Sequence, residues 1–416
     1  MSRQSSLRAF RHRNYRVLFP ANVLSNIGTW AQRIAQDWLI LELTNSAQLL
    51  GIITALQFLP SLLLSLYGGV LADRFDKRTL LIITNIGAGL GSVTLGILVL
   101  TDLVQVWHVA ALAFAVGVFS ALDAPVRTSF NSELVGQEDI PSAISLNSAN
   151  FNAGRLIGPA LSGFLIVIFG TGLSFVINSF TYLSVVIALI ALRKGELFIT
   201  VKPNGGAKIM EAVRYVAAHR EIRLVMIATF FATTFGLNFQ IFMAVMATQE
   251  FGKGAAEFGI LGSVLAIGSF TGVLVSARLE HLRVPRFVML FGMAFGFLLM
   301  IIAWMPTYGT FAAMLPLVGG MALMTLIGAN SFVQTNCEPA LRGRVMGIYL
   351  LIFMGGTPLG APAIGWFAEN FGIRLTVFIC GVLVFVAAAV LLWVLKRKVG
   401  PDPITESMPV ITDPQG

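Results

Sequence analysis

Charged residues are scarce in this sequence. Asp, Glu, Lys and Arg make up 12% of its 416 residues, whereas a typical soluble protein has about 25%. Apolar residues make up 56%, and the mean hydropathy is +0.82. A chain this apolar has too few polar side chains to cover its surface in water. We therefore predict an integral membrane protein.

Cysteine and histidine are also rare. Cys337 and Cys380 are too few for a disulfide framework, and the four histidines show no metal-ligand spacing. The sequence contains no G-x-x-x-x-G-K-[ST], no H-E-x-x-H and no G-x-S-x-G motif. We expect no metal, no cofactor and no catalytic residues, so the protein should not be an enzyme. Energy should come from an ion gradient.

Long apolar runs recur from end to end, each long enough to cross a hydrocarbon core of about 30 Å as a helix. In lipid, a helix satisfies its own backbone polar groups. The runs predict an all-α membrane protein with twelve transmembrane helices in two six-helix bundles. The predicted spans are residues 15–43, 47–72, 79–101, 107–126, 142–168, 172–193, 222–249, 255–278, 287–305, 309–334, 344–367 and 373–396.

The positive charges are distributed unevenly between the two sides of the membrane. An even number of spans puts both termini on one side, and that side receives 24 of the 28 Lys and Arg residues. Lys253 and Arg374 fall on the other side, while Arg33 and Arg155 lie inside spans. Because cytoplasmic loops are enriched in Lys and Arg, both termini should be cytoplasmic in a multi-pass inner-membrane protein. The net charge of +8 then faces lipid head groups and needs no nucleic acid partner.

One long interruption divides the predicted spans into six and six. It gives four regions: an N-terminal bundle at 1–193, a cytoplasmic linker at 194–220, a C-terminal bundle at 221–398 and a disordered tail at 399–416. Within the linker, Ile209, Met210, Val213, Val216 and Ala217 share one helical face, which indicates a short amphipathic helix on the inner membrane surface.

The two bundles resemble each other in sequence. Residues 202 positions apart are identical at eight places without a gap, and four of the eight are glycine. Spans 4–6 should therefore correspond to spans 10–12, a parallel duplication typical of transport proteins. The matches are Ser129/Ser331, Phe130/Phe332, Phe151/Phe353, Gly154/Gly356, Gly158/Gly360, Gly163/Gly365, Phe169/Phe371 and Gly170/Gly372.

The loop after span 2 carries GVLADRFDKR, from Gly69 to Arg78. It resembles the G-x-L-a-D-R-x-G-R-R signature of the Major Facilitator Superfamily and departs from it at Asp76 and Lys77. GTWAQRIAQDWLILELT, NAGRLIGPALSG and EAVRYVAAHREIRL are similar to the branch of that superfamily that includes enterobactin and macrolide exporters. The resemblance implies an alternating-access transporter, most often a drug–proton or siderophore–proton antiporter.

The same resemblance implies a gate at the inner face. Asp73, Arg74 and Arg78 of the signature, which begins at Gly69, should form a charge cluster with Asp123 and Arg127 at the end of span 4. Such a cluster would hold the outward-open state and break when the inside opens.

A polar stripe runs along span 1. At 100° per residue, six side chains fall within a 100° arc: Asn22, Asn26, Thr29, Arg33, Gln36 and Asp37. A charge facing lipid at the bilayer centre costs about 2.5 kcal/mol or more. The stripe should therefore face the bundle interior or a water-filled cavity, where it would bind substrate or protons.

Two interpretations of the charges in this stripe stay open. Arg33 and Asp37 could neutralise each other at i,i+4 and fix helix packing. Alternatively, Asp37 could exchange a proton, because burial favours the neutral carboxyl, a nearby cation favours the carboxylate, and alternating access changes both. Arg155 in span 5 could balance Asp37, bind an anionic substrate or pair with backbone carbonyls.

Together these features predict a monomeric twelve-helix exporter of a small amphiphilic compound, a drug-like molecule or a siderophore, driven by proton antiport. A metabolite importer or facilitator without proton coupling is the alternative within transport. A membrane sensor or accessory subunit is the alternative of another class.

Overall fold

The computed structural model describes residues 7–198, 209–278, 284–338 and 341–397. All regular elements in these ranges are helical, as the sequence predicts. The predicted tail at 399–416 and residues 199–208 of the predicted 194–220 linker lie outside the described residues.

The first half consists of four helical stretches: α1 (Arg13–Thr44), α2 (Ala47–Arg74), α3 (Lys77–Leu100) and α4 (Val106–Ile190). The α4 stretch is broken at Gly136 (φ 66°, ψ 167°) and Gly170 (φ 75°, ψ 172°), where glycine permits a positive φ. We call its segments α4a (106–135), α4b (137–169) and α4c (171–190).

The second half begins with α5 (Ile209–Ala218) and a composite span. That span runs through α6 (Arg220–Phe231), a π-helical turn at Ala232–Gly236, α7 (Phe239–Val245) and a second π-helical turn at Met246–Glu250. The remaining helices are α8 (Ala255–Arg278), α9 (Pro285–Ile302), α10 (Tyr308–Thr335), α11 (Arg342–Phe371) and α12 (Ile373–Lys396).

Among the described residues, nine helical stretches have the length and hydropathy to cross a membrane. Val106–Ile190 counts as one of them although it contains three helices. The polar stripe keeps α1 out of the nine, although its 32 residues exceed the roughly 20 that a crossing needs. The helices are therefore consistent with the predicted twelve crossings.

The duplicated glycines occupy equivalent places in the two halves. Gly170 and Gly372 both adopt positive φ, 75° and 85°, at the turns that follow α4b and α11. Gly163 packs on the backbone of Ala255 at the start of α8, and Gly365 packs on that of Ala47 at the start of α2. Small residues let helices approach closely in a membrane, so the repeat encodes the same pair of helix contacts twice.

The two halves meet on one side of the molecule, which we call the closed face. It carries the connections at 45–46, 101–105, 251–254 and 303–307. On this side, one apolar core contains residues of both halves, including Ile40, Leu50, Phe242 and Ala361. The opposite side, the open face, has two separate cores, one in each half. The space between the halves is therefore accessible from the open face.

The amphipathic helix α5 lies on the open face and packs on the second half. Ala212 is buried, and Tyr215 and Val216 pack against the local core. Met210 and Val213, placed on the apolar face by the sequence, are exposed. Glu211 lies 3.6 Å from Arg344 of α11.

Asp76, where the family signature usually has glycine, caps α3. Its carboxylate accepts hydrogen bonds from the Thr79 backbone N–H (2.8 Å) and hydroxyl (2.7 Å). The hydroxyl bond is the main reason that the pKa of Asp76 lies below its ordinary value. The departure from the signature thus supplies a helix N-cap.

Candidate functional site

A cavity of about 250 Å³ lies in the first half, between α1, α3, α4a, α4b and α4c. Its wall includes Asn22, Asn26, Thr29 and Arg33 of the predicted stripe. The stripe therefore lines a cavity for the first three of its turns.

Neighbouring helices hold the stripe in place. Asn26 donates to the Asn150 carbonyl at 2.7 Å, and Thr29 lies 3.1 Å from the Tyr182 hydroxyl. Gly154 of α4b packs against Asn26. This close packing fixes the orientation of the polar wall.

A salt bridge stands at the open-face end of the cavity. Arg127 Nε donates to Asp123 at 2.6 Å, and Asp123 also accepts from Thr84 and Asn85, each at 2.9 Å. Arg127 reaches α1 through Asn22. The pair is thus neutralised, and its hydrogen bonds offset part of the desolvation cost of its partial burial.

Arg33 faces aromatic rings. Its guanidinium carbon lies 5.0 Å from the Trp30 ring centroid and 4.9 Å from that of Phe58. Among the described residues, no ion pair within 4.0 Å joins Arg33 to Asp37. Arg33 also lines a second cavity of about 30 Å³ with Gln36 and Gln57, which is the volume share of about one water molecule.

Asp37 lies nearer the closed face and is fully buried, with 0% exposure. Neither of its carboxylate oxygens has a hydrogen-bond partner among the described residues. The i,i+4 pairing that the spacing allowed is therefore not formed in this conformation. The last charge of the stripe sits beyond the cavity, inside the closed region.

Arg155 stands on α4b, one turn past Phe151 of the cavity wall. Its guanidinium carbon lies 5.8 Å from the Trp30 ring centroid, on the same indole that Arg33 contacts. The described residues offer it no carboxylate and no backbone carbonyl within bonding distance. Trp30 thus brings together two arginines that the sequence placed on different helices.

The predicted gate is only partly visible. Arg78 donates to the Ile190 carbonyl at 2.8 Å, Arg74 is exposed, and no ion pair joins Asp123 to Arg78 among the described residues. The surroundings of Gly69 and the side chain of Asp73 lie outside the described part. The cluster was predicted for the outward-open state. The protein is open on the face where the cluster lies, so the prediction stays untested.

Sequence reasoning missed several polar groups of the wall, namely Thr84, Asn85, Asn150 and Tyr182. It also missed the buried network in which Gln32 accepts from Asn178 and Ser92. The available signal was an amide or hydroxyl inside an apolar run, which normally faces another helix or a cavity.

The closed face is sealed by a seam between the halves. Gly51 packs against the Ala361 backbone, and Ser263 donates to the Leu156 carbonyl at 2.9 Å. Helices on both sides of the seam also bury polar side-chain atoms without a hydrogen-bond partner among the described residues. These atoms belong to Thr54, Gln57, Ser162, Thr234, Asn238 and Gln240.

The family is decided by a match that spans nearly the entire chain: the transmembrane secretion effector model matches residues 4–409. The chain belongs to this family of Major Facilitator Superfamily transporters. It is a multi-pass membrane transport protein, which confirms the predicted superfamily and fold class.

Similar proteins include two siderophore transporters. The chain is 25% identical over 369 residues to the staphyloferrin A transporter of Staphylococcus aureus, covering 88% of this chain and 92% of that protein. It is 22% identical over 355 residues to the enterobactin exporter of Salmonella typhimurium, covering 85% of each.

Solved transporters share the fold at low identity. A bacterial homologue of the human lysosomal transporter Spinster, inward-facing and unoccupied, superposes with a TM-score of 0.75 at 16% identity, covering 94% of this chain and 97% of that one. The nucleoside transporter NupG gives 0.73 at 13% identity, covering 93% and 100%.

Glu369 of α11 links the second half of this transporter to the first half at the seam. Its carboxylate accepts from the backbone N–H of Ala47 (2.7 Å) and Gln48 (3.3 Å) and from the hydroxyl of Ser46 (3.2 Å), at the N-terminus of α2. Because a helix N-terminus favours a negative charge, Glu369 holds one half to the other while the closed face is shut.

Glu369→Gln should weaken this latch. Loss of a charge at a helix N-terminus costs about 0.3–1 kcal/mol, which favours opening of the closed face about two- to fivefold. The measurement is the rate at which a maleimide modifies Thr54→Cys, a buried seam position, in purified protein. Glu257→Gln is the control, because Glu257 caps α8 within its own half. Equal rates in the two glutamate variants would contradict the latch.

Proposed function

We propose that this transporter is an alternating-access exporter of a small amphiphilic compound, a drug-like molecule or a siderophore, driven by proton antiport. The names of two similar proteins, a staphyloferrin A transporter and an enterobactin exporter, support a siderophore. The family description, a secretion effector, supports export.

The burial of Asp37 without a partner is the observation that supports proton coupling. A carboxylate ion inside a membrane costs at least about 2.5 kcal/mol when it has no partner, and a protonated carboxyl avoids that cost. Asp37 is buried and unpartnered while the closed face is shut. When that face opens, water can reach Asp37, so a proton can enter or leave from that side.

The other end of the stripe, from Asn22 to Arg33, lines the proposed substrate site. The cavity wall of Asn22, Asn26, Thr29 and Arg33 offers polar groups, and Phe119 and Phe151 offer apolar surface. This mixture suits a small amphiphilic molecule. Gln36 lies between the cavity and Asp37, where a small hydrated space would let the proton pass.

The distribution of Lys and Arg supports a cytoplasmic open face with both termini on that side. In this assignment the conformation is inward-facing, and the cavity is ready to load substrate from the cytoplasm of a bacterial inner membrane. The Asp73, Arg74, Arg78, Asp123 and Arg127 cluster would close that side once substrate is bound. The first half alone forms the described cavity, so a monomer surrounded by lipid suffices.

Everted membrane vesicles test the proposal, because their outer surface is the cytoplasmic face. With an acidified lumen, vesicles carrying the protein should accumulate staphyloferrin A or enterobactin. Accumulation should stop when an ionophore collapses the pH gradient. Uptake that reaches equilibrium but ignores the gradient would instead indicate a facilitator without proton coupling. If neither siderophore is moved, compounds retained by cells with and without the protein should be compared.

A further inference from the structure

Arg155 is a charge inside a span that forms no ion pair with any described acidic residue. Arg127, by contrast, is paired with Asp123 at 2.6 Å, and Arg33 has Asp37 one turn away on α1, although the two form no ion pair. Arg155 has no ion pair or hydrogen bond with any described residue, and its nearest described interaction is with the Trp30 ring at 5.8 Å. A charge at this depth is costly, so an unpaired one indicates a functional site.

Helix packing does not require this arginine. Gly154 and Gly158 bring α4b close to Trp30 of α1. In the second half, Gly356 and Gly360 bring α11 equally close to Thr233 and Thr234. The residue equivalent to Arg155 there is Thr357. The same packing is thus made without a charge, and the arginine is an addition to the fold.

The surroundings of Arg155 are flat and aromatic. Phe151, four residues earlier on α4b, lines the cavity, is 50% exposed and lies edge-on to Trp30 with ring centroids 5.7 Å apart. A guanidinium presents N–H donors in a planar fork that matches an oxyanion. The Trp30 ring lies beside that fork, and the Phe151 ring lies next to Trp30.

We infer that Arg155 binds an oxyanion group of the transported compound, with a planar part of the compound against Trp30 and Phe151. The inference rests on the proposed function, which makes this cavity the substrate site, and it narrows the substrate class to organic acids. Arg33 lies one turn before Asp37 on α1 and forms no ion pair with it in this conformation, so Arg155 on α4b is a separate positive charge for the substrate anion.

Equilibrium binding to the purified protein tests this without any transport step. The probes are 2,3-dihydroxybenzoate, an anion at pH 7, and its neutral analogue 2,3-dihydroxybenzamide, with citrate as a non-aromatic acid. Titration calorimetry should show the benzoate binding about tenfold more tightly than the amide, the ratio typical of a charged hydrogen bond. That preference should vanish in Arg155→Gln and be reduced in Arg155→Lys, which keeps the charge but loses the fork.

One variant serves as the control. Arg193→Gln removes an exposed arginine paired with Glu196 outside the cavity and should keep the preference. A stable, monodisperse Arg155→Gln that retains the preference would overturn the inference. So would equal binding of acid and amide, or no binding of either acid. If Arg155→Gln does not fold, undiminished preference in Arg155→Lys counts against it. Acid binding that depends on Arg155, with no gradient-driven transport, would instead defeat the exporter proposal.

Discussion

Asp37→Asn should abolish substrate accumulation driven by a pH gradient while leaving downhill substrate exchange intact. Asparagine has the shape of aspartate but cannot load or unload a proton. Asp37 accepts no hydrogen bond from a described residue and forms no ion pair with Arg33 in this conformation. The substitution therefore removes a proton site without removing a formed contact, and thermal stability should hardly change.

A purely structural role for Asp37 predicts the opposite pattern. Removing one partner of a buried pair costs about 3–5 kcal/mol, so the melting temperature and every mode of transport would fall together. Asp123→Asn is the matched control, because Asp123 is bound to Arg127, Thr84 and Asn85. It should lower the melting temperature clearly. The deciding measurement is counterflow and melting temperature on the same purified samples.

The double variant Arg33→Gln, Asp37→Asn separates the two roles further. It removes both charges of the stripe and so avoids leaving Arg33 uncompensated. If this variant regains export driven by the pH gradient, Asp37 is not the proton carrier, and the pair serves only the architecture of α1.

Gly51→Val should lock the transporter with its closed face open. A Cβ at position 51 would overlap the backbone carbonyl of Ala361 and lie 3.1 Å from the Gly365 Cα. Both neighbours are backbone of the other half, so neither can turn aside. Overpacking costs about 1–3 kcal/mol, which disfavours closure about five- to 150-fold. Each half keeps its own core, so the protein should still fold.

Transport and cysteine labelling should both change in the Gly51→Val variant. Thr54→Cys should react with a maleimide faster in the Gly51→Val background than in the wild-type background, and turnover should fall at least as strongly. The native cysteines are both buried and give a low background. Gly347→Ala is the control, since no heavy atom lies within 4 Å of a Cβ there. A slow, unchanged labelling rate in Gly51→Val would show that the seam can close around the added side chain.

Most of the helices could be predicted from hydropathy, but their ends could not. Span 4 was expected to end at 126 and span 5 to begin at 142. The helix instead continues to 135 and resumes at 137, broken only at Gly136. Hydropathy marks the part of a helix that lies in lipid, whereas backbone hydrogen bonds carry the helix beyond it. The π-helical turns around Asn238 have no hydropathy signal either.

The candidate site shows a similar division. The 100° projection placed Asn22, Asn26, Thr29 and Arg33 on one face, and those four line the cavity. It could not tell what stands opposite that face. Spacing alone suggested that Arg33 would pair with Asp37, but the long arginine side chain lies against Trp30 and Phe58 instead. Trp30 precedes Arg33 by three residues on α1, but the contact with Phe58 depends on how α1 meets α2, which one helix cannot specify.

Buried polar groups limit the stability of the seam on the closed face. A wholly apolar seal would hold the halves together too firmly, since each buried CH₂ contributes about 0.8 kcal/mol. Polar atoms that have no partner among the described residues are buried in Thr54, Gln57, Ser162, Thr234, Asn238 and Gln240. A buried donor or acceptor without a partner costs about 1–3 kcal/mol. When the halves separate, water can bond to these groups and the cost disappears. Unpaired polar atoms beside the seal therefore lower the free energy needed to separate the two halves.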